Sequence, residues 1–225
     1  MHFELLNKHL RVPPNKQLLI KNKLSINQGQ VIALWGANGI GKSTLLRKIY
    51  TEFSFTQFDL INPINNIREP RLGIMPQNVN EIIFPWLKVD KIVQIFESNF
   101  HSINGKISIP DVTNCSKKVK NLSGGEKQLL AFELMLNFNF DILFLDEPFA
   151  AMDFDNIHKY ISKLRKHIKA TGGIAFIVIH DLKILQNLSD SILVFSNKRN
   201  TIFSISNKYK GESSVNKELL NMLYE

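Results

Sequence analysis

The sequence predicts an α/β fold in which a parallel β-sheet is covered by helices on both faces. Two observations carry that prediction. Four segments, Val31–Trp35, Ile142–Leu145, Ile174–Ile179 and Ile192–Phe195, are apolar without alternation, as strands buried on both faces are. Segments with helical periodicity separate most of them. A third observation locates the working edge. The loop Gly36–Ser43, the pair Asp146-Glu147 and His180 all follow the carboxyl ends of such strands, where open α/β sheets bind ligands.

Each element follows from local pattern. Phe3-Glu4-Leu5-Leu6 and Leu24-Ser25-Ile26 read as strands, and Pro13-Pro14 excludes a central strand between them. Asn27-Gln28-Gly29-Gln30 is a turn into the strand Val31–Trp35. Thr44–Ile49 reads as the first turns of a helix. Phe53 to Arg71, with Pro63 and Pro70, reads as loops and short edge strands, and Leu72–Met75 as a short strand ending at Pro76-Gln77. Val89, Ile92, Val93, Phe96 and Phe100 recur at helical spacing and predict a small helical insertion, broken by Asn104-Gly105 and Pro110. Ser123 is an N-cap with Glu126 in capping-box register, opening a well-buried helix that carries Leu129, Leu130 and Phe132. Ile157, Tyr160, Ile161, Leu164 and Ile168 mark an amphipathic helix ended by Gly172-Gly173. Leu182–Leu188 is a short helix. Asn197–Asn200 turns the strand Ile192–Phe195 into Ile202–Ile205, and Ser213 to Glu225 reads as a terminal helix.

Composition narrows the class. The chain has 225 residues, 44% of them hydrophobic, enough for one sizeable core. Its apolar runs are too short to span a bilayer. Met1-His2-Phe3-Glu4 lacks the basic and apolar regions of a signal peptide, and the single Cys115 fits a reducing compartment. A cytoplasmic location is expected. The formal net charge is +8, but the basic residues are scattered and no aromatics interleave with the run Lys117-Lys118-Val119-Lys120. The charge reads as general solubility with mild attraction to an anionic membrane surface, not as a nucleic-acid footprint.

The chemistry begins at Gly36-Ala37-Asn38-Gly39-Ile40-Gly41-Lys42-Ser43, which meets every fixed position of G-x-x-x-x-G-K-[ST] between a strand and a helix. The glycines let successive backbone N–H groups converge on one anion, and the helix N-terminus adds partial positive charge. Lys42 would reach the outer phosphates of a nucleotide and Ser43 would ligate Mg²⁺. Asp146, at a strand end, is placed to hold that Mg²⁺ directly or through water. Glu147, one residue on, points elsewhere and would take a proton from an attacking water or orient it. The Gln77 amide is able to touch both metal and water.

These residues, with Leu122-Ser123-Gly124-Gly125-Glu126 opening a helix after the insertion and Ala150-Ala151-Met152-Asp153 following the acidic pair, resemble the nucleotide-binding domain of ABC ATPases. The likeness runs in family order over nearly the whole chain, and Leu122–Glu126 is its discriminating part. It implies a P-loop NTPase core (1–78 and 138–225) with an N-terminal antiparallel β subdomain, and an α-helical subdomain (79–137) that carries the signature motif. It implies ATP and Mg²⁺ as ligands, with Gly36–Ser43 and Thr44 holding phosphates and Ser43, Gln77 and Asp146 near the metal. It implies a head-to-tail dimer in which the signature residues Ser123, Gly124, Gly125 and Glu126 of one copy cap the ATP of the other. Glu147 would be the general base and His180 the γ-phosphate contact. Asp153 would sit in a loop crossing the interface, and Gln77 would link the γ-phosphate to the insertion.

The resemblance extends to function with open branches. It implies an ATP-hydrolysing subunit on the inner face of the cell membrane, bound to integral membrane permeases and serving an importer with a substrate-binding protein. Pro70–Gln77 and the short insertion near Phe84-Pro85 look like the zinc and manganese importers. A haem exporter of cytochrome c maturation and a soluble ATPase of iron–sulfur cluster assembly are the alternatives. The segment Ile82–Leu87 either lines a groove for a membrane partner or is subdomain core. The chain also departs from the pattern. Pro13 stands where an adenine-stacking aromatic is usual, with Arg11 nearby. Leu129 and Leu134 occupy places of usual arginines, and Phe138–Asp141 replaces a proline-containing turn.

Overall fold

A computed structural model describes residues 1–13, 16–55, 59, 61–63, 69–99, 116–196 and 200–206. Two sheets organise them. The larger has eight strands in the order β2-β3-β11-β10-β5-β9-β8-β7. Its centre is parallel: β10 (Ser191–Ser196), β5 (Val31–Gly36), β9 (Ile174–Val178), β8 (Ile142–Asp146) and β7 (Leu72–Met75). At one end β11 (Thr201–Ser206) pairs antiparallel with β10, and the hairpin β2 (His9–Val12) and β3 (Lys16–Ile20) joins through β3. The sheet is therefore mixed, with the antiparallel pairings at one edge. The smaller sheet is antiparallel, β4 (Leu24–Asn27), β1 (His2–Leu5) and β6 (Ile61–Pro63). Pro63 lies at an edge of it, where a missing N–H costs nothing.

Strand alternation divides the core into two layers. On β5, Val31, Ala33 and Trp35 face a layer shared with helices α2 (Val89–Asn99), α3 (Gly124–Asn137), α4 (Phe154–Thr171) and α5 (Leu182–Leu188). Ile32 and Leu34 face the other layer, shared with α1 (Lys42–Phe55) and the small sheet. Both sets are buried because every residue of β5 is, which is why the sequence shows a run instead of alternation. Each fully buried Leu, Ile or Val contributes roughly 1.5–3 kcal/mol relative to exposure.

Helix ends follow sequence chemistry. Ser123 caps α3 with both bonds of a capping box: its Oγ accepts from Glu126 N–H at 3.2 Å, and the Glu126 carboxylate accepts from Ser123 N–H at 2.7 Å. Asp153 caps α4 by accepting from Asn156 N–H at 2.9 Å, and Gly172 ends it in the left-handed conformation at φ 65°. Two short 3₁₀ turns, Val79–Glu81 and Val119–Asn121, bracket the helical insertion around α2. The expected terminal helix at 213–225 and the breaks at 104–105 and 110 lie outside the described residues.

Candidate functional site

The strand order brings four sequence-distant segments to one edge. The loop after β5, Gln77 after β7, Asp146-Glu147 at the end of β8 and His180 after β9 all sit at carboxyl ends of neighbouring parallel strands. A cavity of about 400 Å³ opens there, lined by residues of the loop and α1 start, by Gln77 and Glu147, and by Val12 and Pro13. Pro13 is thus at the cavity wall, while Arg11 is not among its lining residues.

Gly36 shows why the loop needs glycine. Its φ is +153°, and a Cβ there would stand 2.8 Å from Phe195 Cβ and 2.9 Å from Phe195 O. Lys42 is buried and donates from Nζ to Gly36 O at 3.0 Å and to Ala37 O at 2.8 Å. Burial pushes its pKa down, while the charges of Glu147 and Asp146 hold it up. An ammonium satisfied by loop carbonyls is a cation available to an incoming anion. Ser43 Oγ donates to Asp146 Oδ1 at 3.0 Å, bringing a hydroxyl and a carboxylate together beneath the loop. Asp146 is 3% exposed, and burial raises its pKa despite the Ser43 hydrogen bond.

Glu147 is turned away from Asp146. Its backbone is left-handed, at φ 52°, a conformation that costs a non-glycine residue roughly 1–3 kcal/mol and clusters at functional sites. Its carboxylate bridges two neighbours. His180 Nε2 lies 2.7 Å from Oε1, and Gln77 Nε2 donates to Oε2 at 3.3 Å. His180 is anchored through its carbonyl, which accepts from Trp35 Nε1 at 3.1 Å. A smaller, more apolar cavity of about 240 Å³ lies on the other side of Glu147 and His180, against Phe149, Met152, Ile157 and Ile184, and includes no residue of the loop.

The structure therefore gathers the loop Gly36–Ser43 with Thr44, Gln77, Asp146, Glu147 and His180. Ser123, Gly124, Gly125 and Glu126 are not among the residues lining the larger cavity; they open α3, with Ser123 and Gly124 exposed. The sequence reading passes over Gln128. It is buried, donates from Nε2 to Glu147 O at 2.8 Å, and accepts at Oε1 from Ala151 N–H at 2.9 Å. Its one sequence signal is a neutral polar residue directly before the buried run Leu129–Leu134.

Residues 19–150, more than half of the chain, match the ABC transporter family. The chain belongs to the ABC transporter ATP-binding family. It is an ABC ATPase, of the kind that forms the ATP-binding subunits of transporters. It is 29% identical over 204 residues to the hemin import ATP-binding protein of Aliivibrio fischeri, covering 80% of this chain and 76% of that one. It is 27% identical over 237 residues to the phosphonates import ATP-binding protein of Fusobacterium nucleatum, covering 94% of this chain and 93% of that one. Its fold matches a dimeric ATP-binding cassette solved in a post-hydrolysis state bound to ADP and Pi, with TM-score 0.68 and 20% identity over 92% of this chain and 99% of that one. Among the described residues of this ABC ATPase, no helix is long and apolar enough to cross a membrane.

Proposed function

We propose that this ABC ATPase hydrolyses ATP to drive an importer of a metal ion or another small solute, working as a head-to-tail dimer on membrane permease chains at the inner face of the membrane. The observation that carries the hydrolytic reading is the Glu147 carboxylate held between His180 and Gln77 at the rim of the phosphate cavity. In this reading the loop N–H groups and Lys42 bind the β- and γ-phosphates, and Glu147 accepts the proton of the attacking water. His180 and Gln77 then exchange their bonds to Glu147 for bonds to the γ-phosphate and the water. Ser123, Gly124 and Gly125 of the second copy close the site with the α3 N-terminus, and Glu126 keeps that turn capped.

Ser43 and Asp146 fit Mg²⁺ as part of a nucleotide complex. No group of three or more His, Cys, Asp or Glu suited to a metal occurs among the described residues, so a hard cation here would draw most of its oxygen ligands from phosphate and water. When bound, it supplies charge neutralisation at the phosphates.

The names of the relatives support import of a small solute. They include hemin and phosphonates, and the zinc and manganese type remains one branch of that proposal. The decisive test of the base is Glu147→Gln. It is expected to bind ATP with affinity within a few fold of the unaltered protein and to lose hydrolysis by about 10²–10⁴-fold, the usual contribution of a positioned base. Hydrolysis at the original rate would overturn the assignment.

A further inference from the structure

The loop 147–153 is held to α3 at Glu147 and Ala151. Gln128 spans its first half, bonding Glu147 O with one end of its amide and Ala151 N–H with the other. A Cβ on Gly125 would stand 2.8 Å from Ala151 O, so helix and loop backbones are in contact there. Beyond the loop, Glu133 of α3 accepts from Tyr160 O–H at 2.7 Å and pairs with Lys163, both on α4. The loop is thus clasped to α3 in the middle, and the helix it leads into is lashed to α3 further on.

Gln128 is suited to this by chemistry as well as place. It is 6% exposed, and a carboxamide is the neutral side chain that both donates and accepts at such a span. Its donor end lands on the carbonyl of the one residue in the loop with a left-handed backbone. That backbone sets where the Glu147 side chain starts from.

We infer that Gln128 is a positioning residue for hydrolysis, fixing Glu147 to the helix whose N-terminus faces the second copy's nucleotide. This rests on the reading of Glu147 as the base. The clasp makes the placement of α3 and of Glu147 a single variable. When the α3 N-terminus of one copy docks on the nucleotide held by the other, the displacement passes in cis to that copy's own Glu147. Gln128 thereby links two ATP sites without touching either nucleotide.

The test compares Gln128→Ala and Gln128→Glu with the unaltered full chain, each also in the Glu147→Gln background. Gln128→Ala is expected to change the equilibrium Kd for ATP by no more than about twofold and to lower kcat by about ten- to a hundredfold, the scale of ångström-level misplacement. In the Glu147→Gln background the same change should lower the residual rate no further, because Gln128 acts through Glu147. Gln128→Glu adds a pH signature, read in kcat only over the pH range in which thermal melts show the variant fully folded. As a neutral acid its carboxyl donates and accepts, while as a carboxylate it only accepts. Its kcat relative to the unaltered protein should therefore rise as pH falls. Should Gln128→Ala fail to fold, this ratio carries the test. A Gln128→Ala protein with unaltered kcat, an equal loss in both backgrounds, or a flat Gln128→Glu ratio would overturn the inference. Normal hydrolysis by Glu147→Gln alone would instead overturn the base assignment, so the two failures are separable.

Discussion

Asp146 ends β8 almost fully buried, and burial holds its carboxyl above the ordinary range. The linkage sign follows. A carboxyl whose folded pKa is raised lends stability that is fully present at low pH and lost as pH rises through that folded value. Above that folded value the nucleotide-free protein therefore carries an ionised group it would rather not bury. Asp146→Asn should raise the melting temperature of the nucleotide-free protein there by a few degrees, since about 1 kcal/mol moves a domain of this size roughly 2–4 °C. The gain should shrink on acidification as both states become protonated. Asn still accepts from Ser43, and Lys42 keeps Glu147, the larger of its two counter-charges. Thermal melts across pH, with hydrolysis measured alongside, check both directions. The residues of this cluster are legible in sequence because phosphate and metal chemistry restricts which side chains serve at fixed spacing. Gln128 is not, because a glutamine on a helix has the same appearance whether it meets solvent or clasps a backbone.

At the scale of elements, the segment 82–87 divides into residues packed in the core and residues left exposed. Ile83 is fully buried, and Ile82 and Leu87 pack partly buried against the same core. Phe84 and Trp86 are 38% and 67% exposed, with ring centroids 5.4 Å apart. The backbone beneath them is pinned, with Lys120 N–H donating to Pro85 O at 2.8 Å and Val119 N–H to Leu87 O at 2.9 Å. We propose that these two neighbouring exposed rings are the contact for a membrane partner. Trp86→Ala should leave stability within about 0.5 kcal/mol and sharply reduce recovery of a multi-span protein in affinity purification from native membranes. Undiminished recovery would count against this face as the contact, and recovery of only soluble cluster-assembly proteins would favour the soluble alternative. The central strands and most helices were readable from apolar runs, caps and Gly172, while the hairpin of β2 and β3 was not. The order of strands was not, because β5 lies between β10 and β9, and such pairings over long sequence separations leave no local mark.

For the whole molecule, the separation of Ser123–Glu126 from the phosphate cavity makes the proposed site incomplete in one copy. The dimer reading can be tested at Gly124 without disturbing the monomer. Gly124 is the first residue of α3, exposed, and a Cβ there meets nothing within 4 Å. An aspartate at a helix's first turn is favourable with the macrodipole, by about 0.3–1 kcal/mol at an exposed site. The same carboxylate would face the phosphates of the nucleotide across a head-to-tail interface, where like charges in a water-poor gap repel strongly. Gly124→Asp is therefore expected to melt at or slightly above the temperature of the unaltered protein, yet to prevent ATP-driven association. In the Glu147→Gln background, where ATP is bound and not consumed, the chain with Gly124 should sediment as a dimer when ATP is added. The chain carrying Gly124→Asp should remain a monomer with nearly unchanged ATP affinity, since Gly124 lies outside the cavity of its own copy. Equal ATP-driven dimerisation of both would mean that the α3 N-terminus does not face a neighbour's phosphates, and the shared site would have to be abandoned while the phosphate loop, Asp146 and Glu147 stood unchanged.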